Sequence, residues 1–400
     1  MFRAIYTFGL ILLSFVWLAR LFKKKYRKTL ALRLGWKVPS LSSTSPHRIW
    51  VHAVSLGETK AIIPLLKQLK KIYPEAFIIF STLTETGYRA AKEEFPEADR
   101  HLFLPFDLWS RSYVREARPT LVLLCETDFW YHFLDESKRQ GARVILVNGK
   151  LSLKSLKLYR RFPAIFRPFD RLIVQGDEYK RRFLSLGIPE EKIFVGGNIK
   201  IDAQKILPEP LPFDPPILVI GSTHDPEEQL LLKALGPVWE KHPRLKVILV
   251  PRHPERFETV AKLLETLHLP YARLSQNSTS ARLTLADFMG SLKELYRQST
   301  LCIVAGSWTS KVGGHNILEP AFFGKPVIFG PYMHSQPDFC EQVLEARAGL
   351  QLSLDKLSQA LIDLLDHPEK ARALGKAGLE LIQKNQGALN KTLDLIQPLC

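Results

Sequence analysis

Carboxylates and small-residue turns at the ends of apolar runs are the chemistry-bearing features of this 400-residue chain. Glu58 is its first acidic residue, in Ser55-Leu56-Gly57-Glu58, where a β-rich run gives way to a helical one. Gly57 permits a tight turn there. A carboxylate in the first turn of a helix either complements the helix dipole or takes a proton from an attacking hydroxyl as a general base. Glu126 stands similarly in Cys125-Glu126-Thr127-Asp128-Phe129-Trp130, with helix capping as the plainer reading. In the second half, Gly221-Ser222-Thr223-His224 leads into Asp225-Pro226-Glu227-Glu228. Small residues with free backbone N–H groups ahead of a helix make an anion site. Pro251-Arg252-His253-Pro254-Glu255-Arg256 adds cationic groups at the end of the next run. The strongest pattern is Gly313-Gly314-His315-Asn316-Ile317-Leu318-Glu319-Pro320. Its glycines allow close backbone approach, and Asn316 is expected to cap a helix starting at Ile317. Glu319 then either closes a capping box or hydrogen-bonds a ribose diol. No residues are spaced as metal ligands, and Cys125, Cys302, Cys340 and Cys400 are too scattered for a disulfide framework.

These turns need strands to hold them. The β-rich runs are 48–55, 76–82, 101–106, 120–126, 142–148, 171–175 and 192–195, then 217–220, 245–250, 301–304 and 326–329. Several are apolar at consecutive positions, such as Leu121-Val122-Leu123-Leu124, as strands buried on both faces should be. Between them lie helical spacings such as Ala61, Ile62, Leu65, Leu66, Leu69 and Ile72. Further helices are expected from about Pro226, Glu255, Leu292 and Ile317 and over the tail 357–399. The pattern predicts an α/β fold of two doubly wound, Rossmann-like domains. Leu207–Pro216 carries five prolines in ten residues and reads as a stiff linker. The expected division is 1–30, 31–206, the linker 207–216, and 217–400. Ligands of open α/β sheets bind at the carboxyl ends of the strands, where all the turns above lie, so a cleft between the two domains is the expected site.

The net charge of +16 is concentrated at the start: ten Lys and Arg precede Glu58. Ala4 to Ala19 is free of charge and rich in Leu, Ile, Phe and Val, and Arg20 and the run Lys23-Lys24-Lys25-Tyr26-Arg27-Lys28 follow. A span needs about twenty apolar residues, so this short segment is read as an N-terminal membrane-anchor helix with its basic flank on the cytoplasmic side. The flank would attract an anionic membrane surface. The hydrophobic content of 46% excludes a disordered chain.

Together and in order, these stretches resemble the 3-deoxy-D-manno-octulosonic acid (Kdo) transferases, membrane-anchored enzymes that add Kdo to the lipid A precursor of Gram-negative bacteria. The resemblance is carried by VHAVSLGE (51–58), STLTETG (81–87), ETDFW (126–130), NGKLSLKS (148–155), GGNIKID (196–202), GSTH (221–224), PRHPERF (251–257) and GGHNILEP (313–320). It implies a two-domain GT-B fold, CMP-Kdo as co-substrate, no cofactor or tightly bound metal, inversion at the anomeric centre, and an inner-membrane location with the catalytic domains in the cytoplasm. It implies Glu58 as general base. It implies Ser222, Thr223, Arg252, Asn316 and Glu319 around the CMP moiety, with His253, Gly313, Gly314 and His315 on the same donor side. Ser55, Gly57, Glu126 and Lys150 would support the active site or the acceptor. Two departures stand on the presumed acceptor side: the family usually has Arg at Lys150 and a Pro-Asn pair at Tyr131-His132. Competing readings are another nucleotide-sugar transferase or epimerase, and a basic membrane-tethered protein binding RNA or anionic lipid. The basic run lacks interleaved aromatics for stacking bases, so nucleic acid is not an expected partner.

Overall fold

A computed structural model describes residues 2–4, 6–11, 33, 38–202, 214–276 and 281–399. Most of the expected anchor and its basic flank, and residues 207–213 of the expected linker, lie outside these. Among the described residues no helix is long and apolar enough to cross a membrane.

The chain folds into two compact units, Met1–Ala203 with Asn385–Cys400, and Gln204–Lys384. The second therefore ends at Lys384, where the sequence reading had run it to residue 400. The reason is packing. Asp202 accepts from Gly387 N and Leu389 N at 2.9 and 2.5 Å and so caps the helix Ala388–Ile396. That helix sinks Ala388 and Ile396 into the core of the first unit. Gly197 (φ +91°) is required beneath it, since a Cβ there would stand 2.9 Å from that of Ala388.

The first unit is built on β1 (Arg48–His52), β2 (Phe77–Thr82), β3 (Arg100–Phe103), β4 (Leu121–Cys125), β5 (Arg143–Gly149), β6 (Arg171–Val174) and β7 (Ile193–Val195). Its order is β3-β2-β1-β4-β5-β6-β7, all pairs parallel. Central strands are apolar on both faces because helices cover both. Leu121 to Cys125 are all buried, each aliphatic side chain contributing about 1.5–3 kcal/mol. Trp50 on β1 is fully buried, donates Nε1–H to Ser81 Oγ at 2.9 Å and meets Phe133 edge-on at 5.0 Å. Its truncation to Ala would cost about 3–5 kcal/mol.

The second unit repeats the design with β8 (Ile217–Thr223), β9 (Lys246–Pro251), β10 (Tyr271–Arg273), β11 (Leu283–Leu285), β12 (Leu301–Val304), β13 (Val327–Phe329) and β14 (Gly349–Gln351). The order is β10-β11-β9-β8-β12-β13-β14, again parallel. The sequence reading missed β10, β11 and β14, each three residues long. In both sheets the order reverses between two adjacent strands, β1 and β4 in one, β8 and β12 in the other. Such switch points open a crevice at the carboxyl edge.

The described N-terminal residues pack on the first unit. Tyr6 OH donates to Asp107 Oδ2 at 2.9 Å, Thr7 Oγ1 pairs with His132 Nε2 at 3.0 Å, and Phe2 meets Tyr131 edge-on at 4.8 Å. Tyr131 and His132 are buried here. The Tyr131-His132 departure thus serves the seating of the N-terminus. Phe8 and Ile11 remain exposed.

Candidate active site

At the β1/β4 switch point, Ser55 caps the helix Leu56–Ile72, its Oγ facing Glu58 N at 3.5 Å. The Glu58 carboxylate folds back over the turn and accepts from Val54 N at 2.7 Å and Ser55 Oγ at 3.2 Å. Ser55-x-x-Glu58 is thus a variant of the capping box, so the plainer reading of Glu58 holds locally. It does not exhaust the residue. Burial foremost, and next the charge of Glu126, push Glu58 up to about 7, against the pull of the Val54 N–H. Gly57 lies in open space with an ordinary φ, so the tight turn expected of it is not what its position demands. The demanding glycine is Gly87. Its Cβ would crowd Thr84 Oγ1 at 3.0 Å and Ser55 C at 3.3 Å. Through it the end of β2 cradles the Glu58 turn, with Thr84 N bonding Val54 O.

Glu126 follows β4 in a left-handed conformation (φ +65°) and is almost fully buried. Lys150 Nζ lies 2.6 Å from its Oε2, Lys200 Nζ pairs with Oε1, and Asn148 Nδ2 donates to Oε1 at 3.3 Å. Burial alone would raise its carboxyl. Lys200 and Lys150 outweigh that and hold it below the usual carboxylate range. Asn148 (φ +55°) sits at a register shift between β5 and β6, and its Oδ1 accepts Ile199 N at 3.1 Å. The strand ends of β4, β5 and β7 therefore meet on one buried carboxylate. Chemically, this edge offers a poised proton acceptor, Glu58, beside an ionised group whose own charge is already paired.

At the β8/β12 switch point, Ser222 adopts φ +61°, and Thr223 is buried with its hydroxyl unpartnered. His224 Nε2 lies 2.8 Å from His315 Nε2, the rings stacked at 5.0 Å, and His253 meets His224 edge-on at 5.3 Å. Burial foremost, with the neighbouring cationic groups, pushes His224 and His315 down to about 4. Both are neutral at pH 7, and one donates its ring proton to the other. Arg252 and His253 are exposed beside them. Gly313 (φ +82°) and Gly314 (φ +90°) are mandatory, since a Cβ would strike the His334 ring at 2.3 Å or Met333 S at 2.4 Å. Among the described residues no group of three His, Cys, Asp or Glu is placed to hold a metal ion.

Residues 28–203 match the family model described as 3-deoxy-D-manno-octulosonic-acid transferase (kdotransferase). The 3-deoxy-D-manno-octulosonic acid transferase of Chlamydophila psittaci is 36% identical over 387 residues, covering 92% of this chain and 88% of that protein. Its counterpart from Haemophilus influenzae is 33% identical over 408 residues, covering 97% and 95%. The chain belongs to the Kdo transferase family. It is accordingly a glycosyltransferase. The putative UDP-N-acetylglucosamine 2-epimerase of Listeria monocytogenes shares the fold, with TM-score 0.60 at 16% identity over 88% of this chain and 98% of that one. Two parallel seven-stranded α/β sheets are the GT-B-like architecture expected of the Kdo transferase family.

Of the residues singled out from sequence, Ser55, Gly57, Glu58, Glu126 and Lys150 gather at the first sheet's edge, and Ser222, Thr223, Arg252, His253 and Gly313–Glu319 at the second's. Two expectations are corrected. No helix starts at Ile317: Asn316 Oδ1 accepts Leu318 N at 3.1 Å within a turn, and only the 3-10 helix Pro320–Phe323 follows. Pro320 supplies no N–H to continue the ladder. Glu319 makes no cap bond and closes no capping box; burial raises its carboxyl, and Lys293 and Arg252 pull it back. Nor are the N–H groups of the GSTH turn all free, since His224 N is bound by Glu227 Oε2 at 3.1 Å. Sequence reasoning missed Asn148, Lys200 and Glu227. The first two lie inside the family-like stretches NGKLSLKS and GGNIKID, which was the available signal.

Proposed function

We propose that this Kdo transferase family member moves Kdo from CMP-Kdo, with inversion at the anomeric carbon, to a hydroxyl of the lipid A precursor or of a Kdo already attached to it. The observation that carries the reading is Glu58: a carboxylate at a sheet switch point, raised to about 7 by burial and by Glu126. A base so tuned is ionised enough at neutral pH to act and basic enough to take a hydroxyl proton. The hydroxyl oxygen attacks the anomeric carbon as Glu58 accepts its proton. The anomeric carbon–phosphate oxygen bond breaks, and CMP leaves with the electron pair. Arg252 and His253 meet the charge that develops on the phosphate. Ser222, Thr223, Gly313, Gly314, His315, Asn316 and Glu319 form the rest of the donor side, with Glu319 placed for a ribose diol. Ser55 orients Glu58, and the Lys150–Glu126–Lys200 group supports the acceptor side. No cofactor or metal enters this scheme.

The same proposal puts the enzyme at the cytoplasmic face of the inner membrane, attached through its N-terminal apolar segment. Exposed Phe8 and Ile11 support an apolar contact. Exposed Leu153, Leu158 and Phe162, interleaved with Lys154, Lys157, Arg160 and Arg161 and no acid, suit an anionic lipid surface.

The test is to incubate the purified protein with CMP-Kdo or UDP-sugars and a tetraacylated lipid A precursor, then weigh the lipid products. A Kdo increment from CMP-Kdo alone supports the reading. Transfer from a UDP-sugar, or no transfer from CMP-Kdo, overturns it. Transfer that survives removal of residues 1–30 on a detergent-dispersed acceptor separates attachment from chemistry.

A further inference from the structure

Glu227 opens the helix Glu227–Ala234 and is fully buried. Its Oε2 accepts Gly306 N at 2.7 Å as well as His224 N at 3.1 Å, and its Oε1 accepts Trp308 N at 2.8 Å. A carboxylate withdrawn from water needs such charge-assisted bonds to be tolerated. Two of the three cross from the β8 end to the β12 end, which a helix cap would not do. The contacts close into a ring. Gly306 O accepts Gly314 N at 2.7 Å, His315 follows Gly314, and His315 Nε2 returns to His224 Nε2. Gly306 (φ +75°) has no room for a side chain, since a Cβ would lie 2.5 Å from His315 Cδ2. Beside the ring, buried Thr223 Oγ1 has no partner, so the turn holds a hydroxyl in wait for a group from outside.

We infer that Glu227 is a positioning residue for donor recognition, locking the β8 and β12 turns so that Thr223, His224 and His315 are presented together to the nucleotide phosphate. The inference rests on the donor-side reading above. Neighbouring Glu228 provides the contrast: it is equally buried but bonds Arg256 NH2 at 2.9 Å and takes no part in the ring.

The experiment is calorimetric titration of CMP into the full chain in detergent, alongside donor and acceptor KM and melting temperature. In Glu227→Gln an amide NH2 confronts backbone donors and at least one turn is released. The CMP dissociation constant and donor KM should rise about tenfold or more, as for loss of a charge-assisted bond, with acceptor KM unchanged. Glu228→Gln should lower the melting temperature while CMP affinity stays within about twofold of wild type. Unchanged CMP affinity in folded Glu227→Gln, or an equal loss in Glu228→Gln, overturns the inference. Should Glu227→Gln not fold, Gly306→Ala reads the same ring from the other strand. Loss of CMP affinity there supports the lock, and unchanged affinity overturns it. Wild-type protein that does not bind CMP defeats the donor reading itself.

Discussion

At the switch point of the first sheet, two carboxylates share the carboxyl edge, with ammonium groups packed around one of them. At the switch point of the second, the carboxylates of Glu227 and Glu228 are withdrawn beneath the turns, and Arg252 and His253 stand exposed above. Both sheets are parallel and both reverse their strand order at a switch point, so that shared feature does not make the difference. The hydrogen-bond count does. Burial raises Glu58 and Glu227 alike, but Glu58 keeps one backbone N–H while Glu227 has three. A carboxylate saturated by amides is consumed by structure. One left half-satisfied beside a like charge remains available for proton transfer.

Glu58→Gln breaks the comparison most severely. It preserves an acceptor for Val54 N yet removes the base, so turnover should fall about 10²–10⁴-fold while CMP affinity by calorimetry stays at the wild-type level. Near-wild-type turnover would remove Glu58 from the chemistry. On the other edge, Gly314→Ala forces a side chain into a left-handed position against Met333. A stability loss of about 1–3 kcal/mol should show as a lower melting temperature, together with weakened CMP binding. The pH profile sharpens the contrast. kcat/KM should fall as pH drops through about 7, where Glu58 protonates, and this acid limb should move to lower pH in Glu126→Gln, which removes the like charge. Stability follows the opposite sign. Folded Glu58 retains a proton that the unfolded chain has shed between the ordinary carboxylate value and about 7. Its contribution therefore declines as pH rises through that window, and Glu58→Gln should flatten the decline in denaturant titrations. The smallest effect belongs to Lys150→Arg. The lysine is partly exposed and pairs with Glu126 Oε2, so a guanidinium can keep the pair. Activity within about twofold of wild type is expected.

Glu58 was legible from sequence because the hydrogen-bond partners of its carboxylate are local, Val54 and Ser55 lying within four residues, whereas the charge of Glu126 that helps to tune it comes from a distant strand end. The Gly313–Glu319 stretch was legible for its glycines and misread for its helix, because Pro320 interrupts what Asn316 was expected to begin. Asn148, Lys200 and Glu227 were invisible as a set, since their roles come from pairings across 22, 74 and 79 residues that no local spacing records. Long apolar runs such as 121–124 announced central strands. Three-residue edge strands such as Leu283–Leu285 carry too little pattern to do so.

The capping of Ala388–Ile396 by Asp202 means that the first unit is sewn shut by residues that follow the second unit in the chain. The intervening unit, Gln204–Lys384, is one contiguous stretch and holds all its own strands before that happens. Domains generally fold in order of emergence, but here the amino-terminal one must wait for Ala388 and Ile396, which emerge only after the second unit. A nascent chain stalled short of residue 385 would therefore hold a finished second unit and an unfinished first. Protease protection of arrested ribosome complexes would display that inversion of order.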